Sequence, residues 1–358
     1  MSQFGKNYRI TSFGESHAPG TGVIIENMIP NFELNLDKVQ KQLTRRRPGQ
    51  SHLTTPRDEK DKLELLAGME RGKTLGTPLA FLVRNRNTKP EDYQFDEKEY
   101  LPRPSHSDFT YFWKYGIHAS SGGGRSSARE TIARVIGGAV AEQVLDKYNI
   151  KVIAWVSSVG DISLDQVPDN ISRELVDRYV TRCPDQEISD KMENLIVGLK
   201  EEGDSVGGTV SCIISNLPRG LGEPVFDKTE ALIAQAMLSI PATKAFEFGS
   251  GFKGCTMLGS QHNDPWIKDE EKITTKTNNN GGLIGGITNG ENLYFKVGFK
   301  PPATIKKKQN TVTLDGREKV LAAKGRHDPC VVPRAVPIVE SMASMVILDL
   351  MYQQGSRY

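Results

Sequence analysis

The chain has 358 residues with 37% hydrophobic and 25% charged content, enough for a large buried core in one elaborate domain or two small ones. A formal net charge of +2 excludes a nucleic-acid binder driven by global electrostatics, so any strong attraction for anions must be local. The four cysteines, Cys183, Cys212, Cys255 and Cys330, stand far apart with no CxxC pair, which argues against a zinc site and a disulfide framework.

The first ten residues hold no apolar stretch of signal-peptide length, and Val23-Ile24-Ile25 reads as a strand. Leu36, Val39 and Leu43 predict a short helix over 36–47, closing in Arg45, Arg46 and Arg47, whose charges suit the negative end of the helix dipole. Residues 79–83 read as a strand. Ser127 and Glu130 have capping-box spacing, and Ile132, Val135, Ile136, Ala139, Val140 and Val144 then recur at helical intervals towards Tyr148. Gly137 and Gly138 cost helix propensity in that run, which is tolerable if another helix backbone packs closely against them. Strands are expected over 152–156 and 210–215, a second helix from Asp227 and Glu230 to Ile240, and a third over 333–353. Its apolar run over 336–351 contains Glu340 and Asp349, so neither end of the chain suggests export or membrane insertion, and a cytoplasmic protein with reduced thiols is expected. Helices and strands do not alternate as a doubly wound sheet requires, and the fold class is α+β.

Two motifs are decoys. The stretch from Gly68 to Thr74 resembles a phosphate-binding P-loop but has three residues between its glycines where four are needed. Gly122-Gly123-Gly124 suggests a dinucleotide fingerprint, yet its sixth position is Ser127 and no apolar strand precedes it. The six histidines include no H-x-x-x-H pair, so no metal ligand is assigned.

Five clusters are hard to explain as packing. Gly14-Glu15-Ser16-His17 and Arg103-Pro104-Ser105-His106-Ser107-Asp108 each hold a histidine in a loop shaped by Gly, Pro and Ser, where catalytic groups are often kept. Arg45-Arg46-Arg47-Pro48-Gly49 concentrates positive charge before a turn, and Arg125, Arg129 and Arg134 surround a helix N-terminus that offers free N–H groups to an anion. Gly325-Arg326-His327-Asp328-Pro329 puts a cation, an imidazole and a carboxylate side by side. With a near-neutral chain, arginines clustered this way imply a small polyanionic ligand. A different class of protein, a polyanion- or RNA-binding chain using Arg45 to Arg47 and Lys306 to Lys308, would leave both histidines and Asp328 idle.

In order and separation, Phe13-Gly14-Glu15-Ser16-His17, Arg45 to Gly49, the stretch GGGRSSARE from Gly122 and Gly325 to Pro329 resemble the signatures of the chorismate synthase family, over nearly the whole chain. Arg47-Pro48-Gly49-Gln50-Ser51, Arg103-Pro104-Ser105-His106 and Ser239-Ile240-Pro241-Ala242 look closer to its fungal and other eukaryotic members. The resemblance implies a single domain built as a β-α-β sandwich, central helices between two antiparallel sheets, assembled as a homotetramer. A glycine and arginine loop before both the helix at Ser127 and that at Pro333 hints at internal duplication.

It further implies a lyase that removes phosphate and a proton from 5-enolpyruvylshikimate-3-phosphate, by anti-1,4-elimination, to give chorismate. Reduced FMN (FMNH2) is implied as cofactor, lending an electron as phosphate leaves and recovering it as the proton is lost. NADPH is its implied reductant if the enzyme reduces its own flavin, an NADPH:FMN reductase activity. Carried over by position, Arg125, Ser126, Ser127, Pro241, Ala242, Gly285, Lys300, Pro301, Pro302, Ala303, Thr304 and Arg326 match flavin contacts. His17 matches the residue that protonates the departing phosphate, His106 the one that protonates the flavin, and Asp328 the one that works with the flavin as base. Arg46 and Arg129 match substrate-anion contacts, and His52, where relatives carry a permanent cation, is expected to face the same anionic groups.

Overall fold

Hydrophobic alternation sets the first sheet. In the computed structural model, which describes residues 2–54, 59–86, 100–117, 123–165, 170–322 and 327–355, Val23 and Ile25 are fully buried while Ile24 between them faces outward, the period-2 pattern of a strand covered on one face. Strands β1 (Gln3–Phe4), β2 (Arg9–Gly14), β3 (Gly20–Glu26), β4 (Leu63–Ala67) and β5 (Leu79–Arg84) form an antiparallel sheet in the order β1-β2-β3-β5-β4. A second antiparallel sheet contains β6 (Lys151–Val159), β7 (Ile162–Ser163), β8 (Gly208–Ser215), β9 (Thr243–Phe248) and β10 (Leu293–Phe299), ordered β9-β10-β8-β6-β7. Its register aligns Val156, Val210 and Val297 in one row and Ala154, Cys212 and Phe295 in the next, all buried.

The principal helices are α1 (Leu36–Arg46), α2 (Asp108–Tyr115), α3 (Thr131–Leu145), α4 (Gln186–Glu202), α5 (Thr229–Leu238) and α6 (Val332–Gly355). Helix α3 packs on β2 and β3, α6 packs on β6 and β8, and the two helices pack on each other. Both are buried on nearly every side, as a core helix must be when its surface is apolar all round. By length and a mean hydropathy of 1.5, α6 could cross a membrane, but 89% of that window is buried inside the protein.

The glycine pair in α3 has the use expected of it. A Cβ on Gly138 would lie 2.2 Å from both Cα and Cβ of Ser341 in α6, and one on Gly137 would meet Met345 Sδ at 2.9 Å. Gly138→Ala should therefore destabilise the protein by about 1–3 kcal/mol, the usual cost of overpacking, read as a lower urea midpoint with unchanged slope.

One expectation changes. The helix at Ser127 starts later than its capping box implied. Ser127 Oγ accepts the Arg129 N–H at 3.3 Å, but Glu130 is held by Arg134 Nε at 2.9 Å instead of reaching back, so a 3-10 turn over Ala128–Glu130 precedes α3. The 68–74 stretch, read as a P-loop decoy, folds as a hairpin, Met69–Glu70 paired with Lys73–Thr74.

Candidate functional site

The His17 loop is the connection between β2 and β3. Their register ends at Gly14 opposite Thr21, leaving residues 15–19 to turn the chain. Gly14 has φ +89°, and a Cβ there would sit 2.1 Å from the Gly20 carbonyl oxygen, so only glycine lets the loop close this tightly. Arg125 donates across the loop's base, to Ser12 Oγ at 2.6 Å and the Gly14 carbonyl at 3.3 Å. Asn85, one residue past β5, continues the ladder to the loop: its N–H donates to the Pro19 carbonyl at 3.1 Å. Its side-chain Nδ2 donates to the Glu15 carbonyl at 2.8 Å and the Ala18 carbonyl at 2.6 Å, and its Oδ1 accepts Arg129 Nε at 2.6 Å.

Behind this loop lies a buried Arg–Asp–Arg bridge. Asp61, fully enclosed and at φ 45°, accepts Arg46 Nη2 at 2.6 Å on one oxygen and Arg129 Nη1 at 3.0 Å on the other. Burial alone would raise its pKa, but the two guanidiniums hold it below the usual carboxylate value. Burial pulls Arg46 down to about 10, Asp61 opposing this while Arg334 and Arg129 add to it. Arg46 also donates to the Ala128 carbonyl at 3.1 Å and Thr131 Oγ1 at 3.2 Å. After these bonds Arg46 Nε and Arg129 Nη2 remain buried without a hydrogen-bond acceptor among the described residues. Buried N–H groups of cations are costly to leave unmatched, which suits a site that receives an anion. Asp328 reaches the same place through Arg334, which pairs with it and donates Nε to the Arg46 carbonyl at 3.1 Å.

A second cluster gathers around His106. Arg103 Nη2 at 3.0 Å and the Asp108 N–H at 3.2 Å both point at His106 Nδ1, against one Asp108 oxygen at 3.3 Å. All three contacts fall on Nδ1, which ties that ring nitrogen to its own loop. Asp108 also takes Arg103 Nε at 2.8 Å; burial would raise its pKa, but His106 and Arg103 hold it far below the usual range. Arg103 Nη1 donates to Thr304 Oγ1 at 3.4 Å and Lys300 Nζ to the Ser105 carbonyl at 3.3 Å, so the 300–304 segment lies against the histidine loop. The Lys300 N–H donates to the Ala242 carbonyl at 2.9 Å, which brings Pro241 and Ala242 alongside. Burial and then Lys244 push the Lys300 pKa below its ordinary value, and neither lysine has a carboxylate partner among the described residues. Two neighbouring cations with no counter-ion fit a phosphate group.

Bridges join the clusters. Arg134 of α3 donates to Ser239 Oγ at 2.6 Å and to its carbonyl at 2.9 Å, just ahead of Pro241. Ser205 Oγ donates to the Pro302 carbonyl at 2.8 Å while the next residue, Val206, donates its N–H to the Pro329 carbonyl at 2.9 Å, linking the 300–304 segment to Asp328. Gly285 sits in a hairpin whose Gly286 carbonyl accepts the Thr229 N–H at 2.9 Å, at the start of α5; a Cβ on Gly285 would meet nothing within 4 Å. Ser126 folds back on the Gly123 carbonyl within its 3-10 turn. Gly122, Gly325 and Arg326 lie outside the described residues.

Other expected site residues go elsewhere. His52 is a surface side chain whose Nε2 is 2.8 Å from Glu193 Oε1 on α4, so its partner is a carboxylate and no member of the arginine cluster. Arg45 is 6% exposed and belongs to the core: Asp177 accepts its Nε at 2.7 Å and its Nη2 at 3.0 Å, and Glu340 of α6 takes Nη1. Arg46 is 1% exposed and Lys307 is paired to Asp204 at 2.8 Å and Glu202 at 3.2 Å, so the arginine run is withdrawn from the surface and the RNA-binding alternative has no support. Asp61, Asn85 and Arg334 complete the clusters without having been marked by any motif.

A protein-family profile described as Chorismate synthase matches residues 8–352. The chain is 51% identical to the chorismate synthase aro-2 of Neurospora crassa, covering 100% of this chain and 92% of the relative. It is 52% identical to a chorismate synthase of Prochlorococcus marinus over 97% of this chain and 96% of the relative, so overall identity does not separate fungal from cyanobacterial relatives. A solved structure described as "Crystal Structure of Chorismate Synthase" superposes with a TM-score of 0.76 at 28% identity, covering 98% of this chain and 93% of that one.

Proposed function

This chain belongs to the chorismate synthase family, and from that premise we propose how its residues share the reaction. The enzyme is a carbon–oxygen lyase that removes phosphate and a proton from 5-enolpyruvylshikimate-3-phosphate to give chorismate. The observation that carries the assignment of roles is the buried Arg46–Asp61–Arg129 bridge, with N–H groups left unmatched beside the His17 loop.

Arg46 and Arg129 receive the substrate's anionic groups, and charge-assisted bonds from fixed guanidiniums both bind and orient them. His17 supplies the proton that departing phosphate takes up. Its place in a hairpin loop tied to Arg129 through Asn85 supports that role. Reduced FMN, when bound, supplies an electron-rich ring that makes an anti elimination accessible without net redox change. Lys300, Thr304, Pro241 and Ala242 would hold it, joined by Arg125, Ser126, Ser127, Gly285, Pro301, Pro302 and Ala303. With FMN bound, His106, tied to its loop through Nδ1, would hold a proton beside it, and Asp328, held by Arg334, would stand next to it as a base.

The layers of sheet, helices and sheet support the β-α-β sandwich description. We place the enzyme in the cytoplasm and read it as a homotetramer; large exposed side chains such as Trp113, Phe226 and Phe252, which another copy would cover, support self-association. NADPH is the proposed reductant of the bound flavin.

Binding titrations test the two subsites separately. Arg129→Ala should weaken substrate binding and leave FMN binding intact; Lys300→Met should do the reverse. The Lys300 charge should also give FMN affinity a pH dependence. Its pKa is below the ordinary 10.5 in the free protein and an anion raises it, so the attraction is present at neutral pH and fades as pH rises towards and through that value. Lys300→Met should flatten the alkaline loss. Parallel pH profiles for the two proteins would remove Lys300 from the flavin phosphate.

A further inference from the structure

We infer that Asn85 is a positioning residue that sets the His17 loop against the anion-binding Arg129; this rests on the reading of His17 as proton donor. One carboxamide makes three bonds to two functional elements. Nδ2 donates to the carbonyls of Glu15 and Ala18, on either side of His17, at 2.8 and 2.6 Å, and Oδ1 accepts Arg129 Nε at 2.6 Å. The backbone fixes where that carboxamide starts. Asn85 directly follows β5, whose last residue Arg84 pairs with Gly20, and the Asn85 N–H donates to the Pro19 carbonyl at 3.1 Å. The side chain is thus anchored at the loop's rim before it makes a single contact.

The chemistry of these contacts is specific to an amide. A carboxylate of the same shape keeps the acceptor that Arg129 needs but places a negative oxygen against two carbonyl oxygens, where asparagine has two N–H groups. An alanine removes all three bonds. Arg129 has a second anchor in Asp61 at 3.0 Å, whereas both N–H groups of the Asn85 amide are spent on the Glu15 and Ala18 carbonyls of the loop. Asn85→Asp should therefore disturb the loop much more than the arginine, and the loss should fall on turnover and spare substrate affinity.

The expected result for Asn85→Asp is a fall in kcat of about 10–100-fold, the scale of a misplacement near 1 Å, with KM within about threefold of the parent. Asn85→Ala should lower kcat and also raise KM. The decisive measurement is a double-mutant cycle in the full-length enzyme, with Asn85→Asp made in the parent and in His17→Ala. If Asn85 acts through His17, the substitution costs little once the imidazole is gone, and the two effects are strongly non-additive. Additive losses overturn the positioning role while leaving His17 as proton donor. Parental turnover in His17→Ala overturns both readings. Where thermal melting shows that Asn85→Asp does not fold, the same cycle is run with Asn85→Ala, and additivity there has the same meaning.

Discussion

Replacing His17 with alanine should lower turnover by roughly 10²–10⁴-fold while FMN and substrate still bind, the usual loss when a general acid is removed. The prediction follows from the separation of the clusters. Flavin is assigned to the 300–304 segment, the His106 loop and Arg125, which meets the base of the His17 loop through Ser12 and the Gly14 carbonyl, while the substrate's anions are assigned to Arg46 and Arg129, fixed by Asp61 and by backbone and hydroxyl acceptors; none of these contacts uses the imidazole. Taking away the ring should therefore remove a proton without removing either ligand. Steady-state kinetics beside equilibrium titrations check this. A variant that turns over normally once saturated with FMN, and is impaired only in binding it, would make His17 structural.

Asp61→Asn should be the most destabilising single change in the site, by about 3–5 kcal/mol, because it leaves two buried guanidiniums sharing no negative charge. The substituted amide could still accept one hydrogen bond, but the Coulombic partner of Arg46 and Arg129 would be gone. The pH dependence has a fixed sign. Asp61 has a lowered pKa when folded, so its contribution is present above the unfolded value and is lost as pH falls through the lowered one. The variant should lack that part of the acid sensitivity. Added inorganic phosphate should restore stability to Asp61→Asn more than it stabilises the parent, since an anion arriving at the same arginines supplies the missing charge. Urea unfolding with and without phosphate measures both effects, and equal phosphate stabilisation of the two proteins would argue that the arginines do not receive an anion.

What could be read in the sequence follows the range of the interactions. Helices α1, α3, α5 and α6 showed themselves by apolar spacing, and the demand that Gly138 meet a close helix is satisfied at Ser341. Helix α4 carried its signals, Asp185 capping the Ile188 N–H at 2.9 Å and Gly203 ending it at φ 73°, but its mixed surface hid the period. Strand β10 alternates perfectly in burial, but the glycine-rich stretch before it carries the stronger compositional signal. The motif histidines and arginines lie in loops whose composition marks them. Asp61 and Asn85 are single polar residues in ordinary surroundings, joined to Arg129 across 68 and 44 positions of chain, and only tertiary structure reveals such bonds. Arg45 and Arg46 are neighbours in sequence on a helix, and the 3.6-residue turn sends them to different places, one to the Glu340 ion network and one to Asp61.

The most direct test is a single anaerobic turnover of the purified enzyme with reduced FMN and 5-enolpyruvylshikimate-3-phosphate, following phosphate and chorismate in the same sample. Equal amounts of the two products, with no net oxidation of the flavin, is the predicted result. Phosphate release without chorismate, or consumption of the reduced flavin in step with product, would contradict it.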